Sequence, residues 1–214
     1  MQIHRDTYKL ESEVVLFING QFPSETPDLA HFKKIFCTDG AYKKLKHLNI
    51  QPDVVSGDFD SIAMSEISSE VKIIETPDQN ATDFEKALRI IIKEGFSSVS
   101  VFGCSGLEQD HFLGNLTSML AHKNELKIRC FDDFGFYFFA ENGTEVVNFK
   151  SEIISLYPFP EAKGIVSEGV KYPLHNGDLS VVTRIGTRNT IIENKATVRF
   201  QEGNLLLFIQ DRLK

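Results

Sequence analysis

No stretch of this chain approaches the roughly 20 consecutive apolar residues that a membrane-spanning helix requires, and Met1 to Lys9 is polar and mixed in charge. These absences predict a protein of the cytoplasm with no membrane partner. Basic residues are also scarce. There are 23 Lys and Arg against 30 Asp and Glu, a formal net charge of −7, and no basic cluster that could follow a phosphate backbone, so nucleic acid is not an expected partner. Cysteine occurs three times, as Cys37, Cys104 and Cys130, far apart and in apolar, strand-like surroundings. That number and spacing fit a reducing compartment and exclude a disulfide framework and a structural zinc site. Tryptophan is absent, while phenylalanine occurs 18 times.

The 214 residues are enough for one large domain or two smaller ones. Up to about residue 133, short apolar runs alternate with helical patterns, as parallel βαβ units do. Strands are expected at 14–18, 35–38, 54–56, 71–75, 99–102 and 128–131. The clearest helix is 83–94, where Phe84, Ala87, Leu88, Ile91 and Ile92 form one apolar stripe and Thr82 with Glu85 reads as a capping box. A second helix is expected at 109–122, with Phe112, Leu113, Leu116, Met119 and Leu120 inward, and a weaker one opens at Ala41 with Leu45 and Leu48.

Beyond residue 133 no helix-length period remains. Short β-rich runs at 136–140, 144–149, 152–158, 179–184, 196–200 and 205–210 are separated by Asn142-Gly143, Asn176-Gly177 and Gly203-Asn204, which read as hairpin turns. The expected fold is an α/β domain over 1–133 with a mostly parallel, doubly wound sheet. An all-β antiparallel domain, sandwich- or barrel-like, follows over 134–214.

Acidic residues recur at the carboxyl ends of the expected strands. Asp39 follows Phe36-Cys37-Thr38, and Asp58 and Asp60 follow Val54 to Ser56 within Gly57-Asp58-Phe59-Asp60-Ser61-Ile62. Asp83 and Asp110 open the next two helices. Alternate residues of an extended segment face the same way, so Asp58 and Asp60 can share one hard cation. Each carboxylate alone also fits a helix first turn or a tight turn, but in a parallel sheet all five share the edge where such folds bind ligands. An oxygen-only set in one crevice suits Mg²⁺ bridging to phosphates better than zinc. Gly103-Cys104-Ser105-Gly106, between a strand and a helix, offers bare N–H groups to a phosphate.

In order along the chain, three segments resemble those of thiamine pyrophosphokinases: Cys37-Thr38-Asp39-Gly40-Ala41, Pro52-Asp53 through Ile62, and Thr76-Pro77-Asp78-Gln79-Asn80-Ala81-Thr82-Asp83. Asp110-His111 with Asn115 and Gly169-Val170-Lys171-Tyr172-Pro173-Leu174 continue the likeness. The resemblance implies a Mg²⁺-dependent kinase that moves the diphosphoryl group of ATP onto the hydroxyl of thiamine, giving thiamine diphosphate and AMP. It implies that Asp58, Asp60 and Asp83 hold the metal, that these three and Asp39 act in catalysis, and that Asp39 and Asp110 close the site. Gly57, Ser61, Thr82, Gly103, Ser105 and Asp110 would meet the nucleotide. Gln79 and Asp83 would meet thiamine, together with Thr187 and Asn189 from a β domain that completes the thiamine pocket of the other copy in a homodimer.

Two positions depart from the family pattern. Arg188 stands where a Ser usually precedes Asn189, and Glu108 stands in Gly106-Leu107-Glu108-Gln109-Asp110 where the family usually carries a cation. Glu108 leaves open a module that binds thiamine or thiamine diphosphate with weak or no transfer, and fold alone leaves open another metal-dependent phosphotransferase.

Overall fold

Apolar runs and polar breaks translate into strands and helices along the chain of the computed structural model, which describes residues 1–25 and 27–211. It begins with β1 (Gln2–His4) and continues through β2 (Val14–Phe17), β3 (Ile35–Thr38), α1 (Asp39–His47), β4 (Val54–Gly57) and β5 (Lys72–Glu75). Then come α2 (Asp83–Lys93), β6 (Ser98–Phe102), α3 (Gln109–His122) and β7 (Lys127–Asp132). The remaining elements are strands: β8 (Gly135–Phe139), β9 (Thr144–Val147), β10 (Ile153–Glu168), β11 (His175–Ser180), β12 (Gly186–Thr190), β13 (Lys195–Arg199) and β14 (Glu202–Gln210).

The chain divides into two compact units, Leu10–Asp132 and the combination of Met1–Lys9 with Asp133–Lys214. In the first, six strands pair in the order β7-β6-β2-β3-β4-β5, all parallel. The chain steps outward from β2 to β5, then returns to the other side of β2 with β6. Strand order therefore reverses between β2 and β6, the place where open parallel sheets leave a crevice at the carboxyl ends of their strands. β2 and β6 are buried along their whole length, which is why they read as near-continuous apolar runs.

The helices follow their stripes with two corrections. α2 buries Phe84, Ala87, Leu88 and Ile91, and its Thr82 hydroxyl accepts the Glu85 N–H at 3.2 Å. Only half of the capping box forms, because the Glu85 carboxylate pairs with Arg89 instead. α3 buries Leu116 and Met119 while Leu113 is exposed, and α1 buries Tyr42 while Leu48, at its C-cap, is exposed.

The second unit is antiparallel apart from one edge. Its strands pair in the order β1-β9-β13-β10-β14-β8, with β1 parallel to β9. The run expected at 152–158 is the start of the 16-residue β10, which also pairs with β11 and β12. Asn176-Gly177 and Gly203-Asn204, expected as turns, lie inside β11 and β14.

Met1–Lys9 was expected with the α/β domain and instead belongs to this second unit. Ile3 is fully buried, the Tyr8 ring stacks on Phe136 at 4.3 Å, and Asp211 accepts both the Tyr8 hydroxyl at 2.6 Å and Arg5 at 2.7 Å. Phe136, Phe138 and Phe139 are core residues of β8, whereas Phe134 is exposed. All three cysteines are buried thiols outside any disulfide.

Candidate active site

Asp39 opens α1, where a negative charge is favoured by the helix N-terminus, and only 4 % of its surface is exposed. One carboxylate oxygen accepts the Gly40 N–H at 2.7 Å; the other accepts the Phe59 N–H at 3.1 Å and the Ser61 hydroxyl at 3.0 Å. Phe59 is held at φ 61°, a conformation an L-residue adopts only when its surroundings demand it. Asp39 is thus spent on shaping the loop that carries Asp58 and Asp60. Gly57 is not part of the cavity wall. A side chain there would collide with the Asp39 carboxyl.

Asp58 accepts the Gln79 side-chain amide at 3.1 Å and the Asp60 N–H at 3.3 Å. These bonds, the Gln79 amide foremost, hold its carboxyl below the usual range. Asp60 is exposed. In the first turn of α2, burial pushes the Asp83 carboxyl up, the Lys86 ammonium opposes this, and Asp39 and Asp58 add to the rise.

Across the switch point, Gly103-Cys104-Ser105-Gly106 lies against the segment that follows β2. Ile18 N–H bonds the Phe102 carbonyl at 2.9 Å and Gln21 N–H bonds the Ser105 carbonyl at 2.8 Å. Gly103 has φ 86°, and a Cβ there would lie 2.1 Å from the Ile18 carbonyl oxygen, so no other residue fits this contact. Asn115 fixes the loop from α3 by donating to the Cys104 carbonyl at 2.9 Å. Lys44, whose pKa is lowered by burial, holds the facing segment through the Asn19 and Gly20 carbonyls at 2.7 and 2.9 Å.

These segments surround a cavity of about 630 Å³ walled by the Leu10–Asp132 unit alone. Asp39, Asp58, Asp60, Asp83 and Asp110 all line it, as do Gln79, Ser61, Thr82, Gly103 and Ser105. The five aspartates are therefore brought to one place, although among the described residues no three acidic, His or Cys side chains are drawn together as a ready-made metal cage. Asp110 accepts the N–H of His111 at 2.9 Å. Glu108, exposed at the N-cap of α3, faces His111 Nε2 at 3.5 Å.

Thr187 and Asn189 lie on β12 of the other unit and are not in this wall. The Asn189 amide is engaged with the Tyr172 backbone, accepting its N–H at 3.0 Å and donating to its carbonyl at 2.8 Å. No motif in the sequence marks Lys86, which sits deep in α2 and lines the cavity. Its one legible sign is its place three residues after Asp83, on the same helical face.

A family model described as Thiamin pyrophosphokinase, catalytic domain, matches residues 27–130, and one described as Thiamin pyrophosphokinase, vitamin B1 binding domain, matches residues 144–205. Thiamine pyrophosphokinase of Bacillus subtilis (strain 168) is 28% identical over 167 residues, covering 74% of this chain and 78% of that protein. Thiamin pyrophosphokinase 1 of Caenorhabditis elegans is 23% identical over 208 residues, covering 88% and 85%. Among solved structures, thiamin pyrophosphokinase from Candida albicans superposes with a TM-score of 0.82 at 18% identity, covering 98% of this chain and 92% of that one. Both units are thus matched, in order, by the two parts of one family, and the chain belongs to the thiamin pyrophosphokinase family.

Proposed function

We propose that this cavity moves the diphosphoryl group of ATP onto the hydroxyl of thiamine, releasing thiamine diphosphate and AMP. The observation that carries the reading is the gathering of five aspartates from beyond the ends of four strands around one cavity at the switch point, opposite a glycine-shaped loop. The thiamine hydroxyl oxygen forms a bond to the β-phosphorus, the bridge to the α-phosphate breaks, and AMP leaves with the bridging oxygen.

The donor set fits Mg²⁺. Asp58, Asp60 and Asp83 are carboxylates on a single wall, and oxygen ligands suit a hard cation. These three would hold the metal, which when bound supplies neutralisation of the phosphate oxygens. Asp83, at the start of α2 beside the Lys86 ammonium, receives the proton of the attacking hydroxyl. Asp39 keeps the 57–61 loop in the shape that presents Asp58 and Asp60. The 103–106 loop, pinned by Asn115, offers its N–H groups to phosphate oxygens, and Gln79 orients thiamine while its amide holds Asp58.

The same reading takes the reversed strand order as the doubly wound arrangement and the second unit as sandwich- or barrel-like. It includes a homodimer in which Thr187 and Asn189 of one copy serve the thiamine bound by the other. It also puts the enzyme in the cytoplasm, where its three thiols stay reduced. Among the described residues no helix is long and apolar enough to cross a membrane.

Phosphorus NMR of the purified protein with ATP, thiamine and Mg²⁺ tests the proposal. Thiamine diphosphate and AMP should form together, and only when all three are present. Appearance of ADP, or of free phosphate without thiamine, would replace this reading with a different phosphotransferase.

A further inference from the structure

Among the described residues that line the cavity, Lys86 is the single lysine or arginine, against the carboxylates of Asp39, Asp58, Asp60, Asp83, Glu108 and Asp110. It is 6 % exposed. Its ammonium donates to the Thr76 carbonyl at 2.9 Å and to Asp83 Oδ1 at 3.2 Å. An ammonium carries three protons, and these two bonds fix the head while leaving one proton for another acceptor. Burying a lysine is costly unless its charge is used. α2 does not need that charge to start or to pack, since Thr82 caps its first turn and Phe84, Ala87, Leu88 and Ile91 supply its buried face. A polyphosphate brought among six carboxylates, by contrast, needs positive charge fixed to the protein.

We propose that Lys86 is the protein's own cation for the polyphosphate chain of the nucleotide, donating its third proton to a non-bridging oxygen of the group that is transferred. The inference rests on the diphosphoryl-transfer reading above. The Thr76 carbonyl and Asp83 act as two guy-lines that hold the ammonium in place before substrate arrives, so its charge acts without reorganisation. Lysine meets phosphate as a point charge in this way. Because Lys86 also touches Asp83, the transferred group and the residue that receives the hydroxyl proton share one positioning element.

Calorimetric titration of Mg-ATP in the absence of thiamine, and of thiamine alone, tests this on the wild type, Lys86→Gln and Lys86→Arg. Lys86→Gln should bind Mg-ATP about 10- to 100-fold more weakly, the range of one charge-assisted contact, while its thiamine affinity and melting temperature stay put. Lys86→Arg, which keeps the charge, should recover part of the loss. A folded Lys86→Gln with wild-type Mg-ATP affinity overturns the inference. So does a parallel loss of thiamine binding, Mg-ATP binding and thermal stability in both variants, which would make Lys86 a brace for α2. A wild-type protein that binds no Mg-ATP overturns the phosphotransfer reading itself.

Discussion

A Cβ built on Gly57 would lie 2.4 Å from the Asp39 carboxyl carbon, so the last residue of β4 and the first of α1 are mutually fitted. The absence of a side chain at one is the space for the carboxylate of the other. Gly57→Ala should therefore force Asp39 off its three donors and cost about 1–3 kcal/mol, as overpacking of a tight site does. Turnover should fall with it. Denaturant unfolding and the rate of AMP release measure both, and an alanine variant of wild-type stability would break the link.

Asp39 and Asp60 should separate cleanly under the same substitution. Asp39→Asn keeps one acceptor oxygen and leaves donors of the 57–61 loop unpaired, costing about 1–3 kcal/mol. Asp60 is exposed, so Asp60→Asn should stay within about 0.5 kcal/mol of the wild type while turnover is abolished. Melting curves alongside the phosphorus NMR assay decide it. Wild-type turnover in Asp60→Asn removes that residue from the metal site.

Far from the cavity, Glu13 joins the starts of three strands. It accepts Lys33 Nζ at 2.7 Å, and the Ser97 N–H and hydroxyl at 2.7 and 2.8 Å. The Lys33 ammonium first, and then Ser97, hold its carboxyl down to about 2 from an ordinary value of 4.5. A depressed folded-state value means that this contribution is complete above about 4.5 and is lost as the pH falls toward about 2. Glu13→Gln should be less stable than the wild type at neutral pH, and the difference should shrink across that window. Melting temperatures of the two proteins on an acid series check it; curves that stay parallel would show that the carboxylate is not responsible.

Asn189 bonds both the N–H and the carbonyl of Tyr172. Asn189→Ala should release that turn at a cost of about 0.5–1.5 kcal/mol per lost bond. It should also weaken thiamine binding more than nucleotide binding, because the nucleotide's proposed contacts all lie in the other unit. Paired titrations with thiamine and Mg-ATP read the split. Equal losses for the two ligands would assign Asn189 to stability alone.

The parallel unit was legible because strands covered on both faces must be apolar throughout. Val14 to Phe17 and Ile35 to Thr38 accordingly read almost to the residue, and the helix over 109–122 stands as expected. β10 was not legible as one strand. Pro158, Pro160 and Gly164 punctuate it like turns, yet its register shifts absorb them while pairing continues. β12, Gly-Thr-Arg-Asn-Thr, has no apolar residue to announce it and is placed by its antiparallel pairing with β10. At the site, residue type and strand-end position revealed the aspartates. What sequence could not reveal is which oxygens are already occupied, as in Asp39, or how deep a helical lysine lies, as in Lys86.

The pairing of β1 with β9 makes the second unit discontinuous, with Leu10–Asp132 inserted into its chain. Ile3 and Tyr8 gain their partners only after more than a hundred residues have been synthesised, so the α/β insert can form first while the leading strand waits. Closure of that long loop is slow. A fragment cut at residue 133 would leave β9 without its parallel neighbour and Asp211 without Arg5 and Tyr8. The natural point of division lies not at one junction but at two, on either side of the α/β insert.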